Sequence, residues 1–494
     1  MGAMRTFDVV VIGAGPGGEV AAGYLAQAGL NVAIVEADKV GGECSFYACI
    51  PSKALLRPGE LAAQANRTPG VVGARLDVPA VLAYRDELIG HLDDAGQVPW
   101  LEERGIELVR GHGRLIGERR VAVTPPAGAV TPPAVAVTQS AVAVTQSAVA
   151  VTPPAGASHD GAGEEVLEAR RAVILAGGTR AALPAIDGLA EAKPWTNREA
   201  VTAQEIPESL VIIGAGVVGV EMAQAYTSLG SRVTLIGRVL PREEVFAGEQ
   251  VSASLRDQGA DVRAGVRAVA VSRTGKEVIV TLSDGATVSA SEVLVAAGRT
   301  PQSAGLGLEE LGIAARGAIG VDERMRVPGA DWLYAIGDLN GRALFTHMAK
   351  YQARIAASDV LGDDLAVDHL ADGPGAPRVI FTEPQVAAVG VPSTATSHRT
   401  RVIDVPTDGN AGGAFAGGIG GTARFVIDVD RDVLAGVTIT GADVADFLQA
   451  ATIAIVGEVP IRRLRHAVPA FPTRSEIWLK FFDALAAEET SGRR

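Results

Sequence analysis

The sequence predicts an α/β protein built from two dinucleotide-binding βαβ units and a smaller C-terminal α+β domain. Three observations carry the prediction. Residues 7–18 (FDVVVIGAGPGG) run from an apolar strand into a glycine-rich turn. An alanine-rich helix (EVAAGYLAQAG) and a second strand, residues 31–36 (NVAIVE), complete the unit. The same order of elements returns at residues 210–219 (LVIIGAGVVG), followed by the helix VEMAQAYTSLG and a strand at residues 231–236. Beyond residue 371, the runs RFVIDVD and VLAGVTIT precede a long apolar helix, DFLQAATIAIV, as expected of a separate α+β domain.

Composition narrows the function classes. The chain has 494 residues, enough for about three domains at roughly 150 residues each. Its formal charge is −13, with no long basic run, so a nucleic-acid partner held by phosphate neutralisation is not expected. Hydrophobic residues at 48% against 20% charged indicate a globular chain. No window approaches the roughly 18 unbroken apolar residues of a membrane span. The start, MGAMRTFDVVVIG, lacks a basic region followed by a long apolar stretch. A cytoplasmic protein with no membrane association is therefore expected. The 2 cysteines exclude a secreted disulfide scaffold.

In the first glycine fingerprint, Gly13 makes the tight turn. Gly15 lets the backbone approach a pyrophosphate, and Gly18 permits close helix packing. Glu36 lies 23 residues beyond Gly13, at the end of the next strand, where an acid accepts hydrogen bonds from a ribose. The alternative for such glycines is a tight turn and nothing more. The second fingerprint is Gly214, Gly216 and Gly219, and the position 23 residues beyond Gly214 is Gly237 rather than an acid. Arg238 and Arg242 follow. A site without the repelling carboxylate and with two cations nearby favours a 2′-phosphate, hence NADPH with NADH less favoured. The alternative for Arg238 is a solvated surface residue.

Between the two units, residues 122–156 read as five successive heptads, AVTPPAG, AVTPPAV, AVTQSAV, AVTQSAV and AVTPPAG. Proline pairs and β-branched residues oppose a coiled coil. A low-complexity insert without a catalytic role is expected there, as a loose hairpin excursion or disorder.

The remaining feature is the loop GGECSFYACIPSKALL, residues 41–56, which holds both cysteines, Cys44 and Cys49. Two thiols separated by four residues can close a small ring, and the helix beginning at Pro-Ser-Lys favours a thiolate at its N-terminus. With this loop following a fingerprint and an acid, the sequence resembles the class I pyridine nucleotide-disulfide oxidoreductases, the flavoprotein family of dihydrolipoamide dehydrogenase, glutathione reductase and mercuric reductase. The resemblance covers nearly the whole chain apart from the heptads.

The resemblance implies two Rossmann-like dinucleotide-binding domains and a dimerisation domain. Residues 1–190 and 298–370 would form the FAD domain, 191–297 the NAD(P)H domain, and 371–494 the interface of a homodimer. Gly13, Gly15, Gly18 and Glu36 would hold the adenosine end of FAD, and Asp338 of the AIGD motif its ribityl and pyrophosphate part. Gly42, Gly113 and Gly298 fall at further cofactor positions, Gly113 near the adenine. Cys49 would be the thiolate beside the flavin, and Cys44 the interchange thiol that attacks substrate. Lys53 would stand near flavin N5 and pair with Glu221, stabilising negative charge on reduced flavin and on Cys49. Nicotinamide hydride would reduce FAD, electrons would pass to the cysteine pair, and the dithiol would reduce an acceptor.

One departure bears on the acceptor. Where the family's disulfide reductases carry His-Pro-Thr-x-x-Glu, this chain has Phe471, Pro472, Thr473, Arg474, Ser475 and Glu476. The acid/base histidine is replaced by an aromatic ring, while the orienting acid, Glu476, remains. His466 is a candidate substitute, with a surface histidine as the alternative. The expected substrate is a small disulfide whose thiol leaves without protonation, as a thione or low-pKa thiol of the ergothioneine kind. The Phe471 ring would stack on its flat group, and Phe46 and Tyr47 would add aromatic surface, with core packing as the alternative. A quinone is the second acceptor class, and a lipoamide dehydrogenase component a third reading that the missing histidine and Gly237 oppose. In LAGGT, residues 175–179, the threonine of the family's Ala-Thr-Gly turn is absent.

Overall fold

The computed structural model describes residues 4–126, 164–313, 316–363, 365, 372–395 and 399–491. Strand Arg5–Ile12 pairs in parallel with Val32–Glu36 on one side and with Glu165–Leu175 on the other. All three are dominated by Val, Ile, Leu and Ala, because both faces of the sheet are covered, one by helices and the other by Leu115, Val121 and Val123 of a neighbouring strand pair and by Leu306, Leu308 and Ile319. The order continues to Glu107–Arg110 at one edge and to Ala330–Ala335 and Arg326–Val327 at the other. The helix Pro16–Gln27 packs against Thr346–Leu361 on one face of this sheet. A chain segment more than 300 residues away in sequence thereby reaches the first fingerprint.

The second unit is a separate four-stranded parallel sheet, in the order Asp261–Arg263, Arg232–Ile236, Ser209–Ile213 and Glu292–Val295. Its helix Val217–Ser228 follows the second fingerprint. A three-stranded antiparallel sheet, Ala268–Thr274, Glu277–Leu282 and Thr287–Ala290, lies beside it. The C-terminal region forms a five-stranded antiparallel sheet from Arg378–Ile380 to Val433–Gly441, with the helices Val444–Val456 and Ile477–Ser491 packed on it. Phe425, Trp478 and Phe481 join this sheet to the last helix, the Phe425 and Phe481 rings stacked at 4.2 Å.

The start of the heptad segment differs from expectation. Ala122, Val123 and Thr124 belong to the strand Arg120–Thr124, which pairs with Glu165–Leu175 through Ala122 to Val166 and Val123 to Glu165. Ala122 and Val123 are buried, so the first Ala-Val pair contributes core. Alternating β-branched residues suit a strand paired on both sides, with His112–Gly117 and Glu165–Leu175, until the first proline pair interrupts them. The rest of the repeat, from residue 127 onward, lies outside the described residues.

Candidate active site

Both fingerprints place their glycines under the same constraints. Gly13 and Gly214 each have φ of +105°, and a Cβ on them would stand 2.4 Å from the carbonyl oxygen of Ala176 and 2.5 Å from that of Ala296. A Cβ on Gly18 would meet the Gly13 oxygen at 1.8 Å, and one on Gly219 the Gly214 oxygen at 1.9 Å. Gly15 and Gly216 face open space and stand at the N-caps of their helices. Two of each three glycines thus serve the fold. The third leaves an open cradle at a helix N-terminus, which is what a pyrophosphate requires.

Glu36 ends its strand and receives the backbone N–H groups of Ala14 and Asp38, both at 2.7 Å, while burial raises its carboxyl pKa. It thereby shapes the fingerprint loop from beneath. Gly113 packs close against Ile12 and Val35, where a Cβ would come within 3.2 Å of each side chain. Gly298 has φ of +119°. Asp338, in the turn after Ala330–Ala335, accepts a hydrogen bond from the Thr179 hydroxyl at 2.7 Å. Burial raises its pKa, opposed by that bond and by Arg299. The LAGGT turn therefore supplies its hydroxyl from Thr179, one of the contacts the sequence did not disclose.

The cysteine loop lies over the first cradle. Gly41 donates its N–H to the Ala14 carbonyl at 2.7 Å, and a Cβ on Gly42 would come within 2.9 Å of the Gly15 Cα. Cys44 sits in the short helix Gly42–Phe46, and Cys49 is the first residue of the helix Cys49–Arg67. The two thiols are not bonded to each other in this structure. Thr346, the first residue of the helix Thr346–Leu361, places its hydroxyl oxygen 3.3 Å from Cys49 Sγ. Two helix N-termini therefore converge on one sulfur, and both favour negative charge.

The electrostatics are asymmetric. Cys49 is pulled down to about 6, chiefly by the hydrogen bond from Cys44, with Thr346 and Lys53 assisting against burial and Glu221. Cys44 is pushed up by donating that bond, then by burial and by the Cys49 charge, while Thr346 and Lys350 act the other way. Such an arrangement holds Cys49 as thiolate and Cys44 as its proton-bearing neighbour.

Lys53, one turn along the helix from Cys49, donates to Glu221 Oε2 at 2.7 Å, and its ammonium stands 4.9 Å from the Phe381 ring centroid. Glu221, on the helix Val217–Ser228, is buried and also accepts the Phe381 N–H at 3.0 Å. The pair ties the cysteine helix to the second nucleotide unit. A second tie is Glu43, which receives Arg198 at 2.6 Å, Asn197 at 2.9 Å and Arg299 at 3.2 Å. Neither tie to the 197–199 segment carries a spacing signal in the sequence.

Other expected residues lie elsewhere. Arg238 and Arg242 are exposed beside the second cradle and form no ion pair among the described residues. Gly237, with φ of +125°, leads into them. Phe46 is 2% exposed and packs against Gly41, so it belongs to the core and offers no ring to a substrate. Arg198 covers the Tyr47 ring at 4.2 Å, which removes that ring too as free aromatic surface. Phe471 is 75% exposed and Glu476 accepts the Gly412 N–H at 2.5 Å. Neither touches the thiols of its own chain. His466 is exposed on the same segment.

Two nucleotide cradles flanking a polarised thiol pair define a redox protein that passes electrons between a bound dinucleotide and a dithiol. The family model described as "Pyridine nucleotide-disulphide oxidoreductase" matches residues 7–353, and that of the family's dimerisation domain matches residues 376–480; the chain belongs to this family. It is accordingly a flavin-dependent disulfide oxidoreductase, using FAD and NAD(P)H.

Among its relatives are dihydrolipoyl dehydrogenases. That of Chlorobaculum tepidum is 32% identical, with 97% of each chain covered, and that of Thermus scotoductus is 30% identical, with 98% of each covered. The structure of LpdA from Mycobacterium tuberculosis matches with a TM-score of 0.78 at 26% identity, covering 95% of this chain and 97% of that one. The Cu(II) complex of the HOCl-induced flavoprotein disulfide reductase RclA from Escherichia coli shares the fold, with a TM-score of 0.79 at 23% identity over 97% of this chain and 99% of that one. No described helix is long and apolar enough to cross a membrane.

Proposed function

We propose that this oxidoreductase uses NADPH to reduce a small disulfide whose sulfur departs without needing a proton, as a thione or a low-pKa thiol of the ergothioneine kind. The observation that carries the reading is Phe471, an exposed ring at the position where the family's disulfide reductases keep their acid/base histidine. A phenyl ring cannot protonate a leaving thiolate, a service worth roughly a hundredfold or more in general acid catalysis. It can stack on a flat heteroaromatic group. In a homodimer joined through the C-terminal domain, Phe471 and Glu476 of one subunit would face the thiols of the other.

The open cradle at Gly15, with Glu36, Gly42, Gly113 and Asp338 around it, fits FAD. Gly298 lies in the turn before Arg299, which reaches Glu43 and Thr179. Bound there, FAD would supply the two-electron redox chemistry that links a nicotinamide hydride to the cysteine pair. Gly214, Gly216 and Gly219 fit the second dinucleotide, and the unpaired Arg238 and Arg242 suit its 2′-phosphate. Lys53, held by Glu221, sets a positive charge beside Cys49. Cys49 is held as a thiolate by the hydrogen bond from Cys44, the Thr346 hydroxyl and Lys53, and Cys44 attacks the substrate.

The test is Cys44→Ser in the holoenzyme, assayed with NADPH against a panel of small disulfides and an artificial quinone. Disulfide turnover is expected to vanish while quinone reduction persists. Surviving disulfide turnover would overturn the reading. A wild-type enzyme that turns over quinones and no disulfide would mark a quinone reductase instead.

A further inference from the structure

We propose that Asn197 and Arg198 form a clasp on the turn that carries Cys44, holding its thiol beside Cys49 when the disulfide opens and so making the pair a stronger reductant. Both are positioning residues. The proposal rests on the reading of Cys44 and Cys49 as the redox pair.

The turn needs a holder. Cys44 lies in a helix of five residues, Gly42–Phe46, closed by the Tyr47 N–H on the Glu43 carbonyl at 2.8 Å. A helix that short does not stand alone, because nucleation fixes several residues for one hydrogen bond. Cys49 is fixed separately, as the first residue of the helix Cys49–Arg67 with the Thr346 hydroxyl 3.3 Å from its sulfur. Cys44 is therefore the partner whose place remains to be set.

Asn197 and Arg198 grip both ends of that turn. Asn197 Nδ2 donates to Glu43 Oε2 at 2.9 Å and to the Tyr47 carbonyl at 2.7 Å. Arg198 Nε donates to Glu43 Oε1 at 2.6 Å, and its guanidinium lies 4.2 Å from the Tyr47 ring centroid. Glu43 and Tyr47 bracket Cys44, so the two residues hold the backbone on either side of the thiol. The clasp is itself anchored in the second nucleotide unit. Trp195 pairs with Leu294, its N–H on the Val293 carbonyl at 2.8 Å and its carbonyl accepting the Val295 N–H at 2.9 Å. Thr196 and Glu199 close a capping box at the start of the helix Asn197–Thr202. Asn197 is buried, and its Oδ1 accepts Arg299 Nη1 at 3.3 Å.

Two thiols already held together lose little further freedom when they close into a ring, so the disulfide is favoured and the dithiol gives up its electrons more readily. Without the clasp, the open turn gains conformations that the ring forbids, and the equilibrium moves toward the dithiol.

The experiment equilibrates the holoenzyme, without oxygen and at neutral pH, in mixtures of reduced and oxidised dithiothreitol. In that exchange the Cys44–Cys49 bond breaks and the reagent's own S–S bond forms. Two electrons pass to the protein, Cys44 keeps one proton, and the other goes to solvent as Cys49 stays thiolate. Iodoacetamide added with denaturant then labels the open pair, and mass spectrometry reads the labelled fraction of each cysteine. Asn197→Ala and Arg198→Met are each expected to move the equilibrium toward the dithiol by about three- to tenfold, a rise of about 15–30 mV for a two-electron couple, with flavin content unchanged. In either variant, an equilibrium unchanged or moved toward the disulfide, while the wild-type pair titrates, would overturn the clasp alone. A shift confined to Arg198→Met would assign the effect to its charge, because Asn197→Ala removes only neutral donors. Wild-type labelling that does not respond to the buffer would overturn the reading of Cys44 and Cys49, and this proposal with it.

Discussion

Thr346 Oγ1 lies 3.3 Å from Cys49 Sγ, and each residue is the first of its own helix. The two helices start almost 300 residues apart in sequence and point their N-terminal partial charges at one sulfur. A thiol in that field, with a hydroxyl and an ammonium as neighbours, is held as thiolate at neutral pH.

Removing the hydroxyl tests this relationship. Cys49 is held down to about 6, so the thiolate is present above that pH and is lost as pH falls through it. Thr346→Val is expected to move the midpoint upward by about one unit. The long-wavelength absorbance of the thiolate beside oxidised flavin, followed in the two-electron-reduced enzyme during acid titration, reads the shift directly. An unchanged midpoint would show that the hydroxyl contributes nothing.

The Lys53–Glu221 pair predicts a non-additive stability pattern. Lys53→Met leaves the buried Glu221 carboxylate with only the Phe381 N–H, at a cost of about 1–3 kcal/mol, less than for a fully buried pair because Lys53 is partly exposed. Adding Glu221→Gln to that variant is expected to recover most of the loss. Denaturant unfolding of the two single variants and the double variant closes the cycle. Additive losses would mean that the two groups do not depend on each other.

The proposed preference for NADPH rests on the two exposed arginines. Arg238→Ala with Arg242→Ala is expected to raise KM for NADPH by about tenfold or more, since charge-assisted contacts to a phosphate are worth about 1.5–3 kcal/mol. KM for NADH should hardly move. Steady-state kinetics with both nucleotides decides it, and an equal rise for the two would remove the 2′-phosphate from the explanation.

Phe471→His restores the ring type that the family's disulfide reductases use. Its exposure means the fold should tolerate the change. Turnover of disulfides with ordinary alkyl thiol products, lipoamide among them, is expected to rise by about tenfold or more. Turnover of disulfides that release thiones should not rise. A uniform effect on both classes would place residue 471 away from the leaving group.

How much was legible in sequence depended on how local the signal is. The glycines announce themselves because a turn tolerating no Cβ, an open cradle and a helix contact each demand glycine at fixed spacing, and Gly13, Gly15 and Gly18 meet those demands as Gly214, Gly216 and Gly219 do. The cysteine loop is likewise local: Cys44, Cys49 and Lys53 lie on adjoining helical turns. The absence of an acid at Gly237 and of a histidine at Phe471 is also written in the chain.

What brings charge to the sulfurs was decided by tertiary structure. Thr346 reaches Cys49 because the helix Thr346–Leu361 packs against Pro16–Gln27, a crossing with no spacing signature. Glu43 meets Asn197 and Arg198 only once the two nucleotide units are docked, and Arg299 only once Arg299–Pro301 pairs with Thr179–Ala181. Phe46 reads in sequence as either a substrate-facing aromatic or a core residue, and the loop's packing against Gly41 makes it core. Periodicity and glycine spacing report on one stretch of backbone at a time, which is enough to specify each strand, turn and cradle. The field at a sulfur is the sum of charges from several distant segments, and only their packing sets those distances.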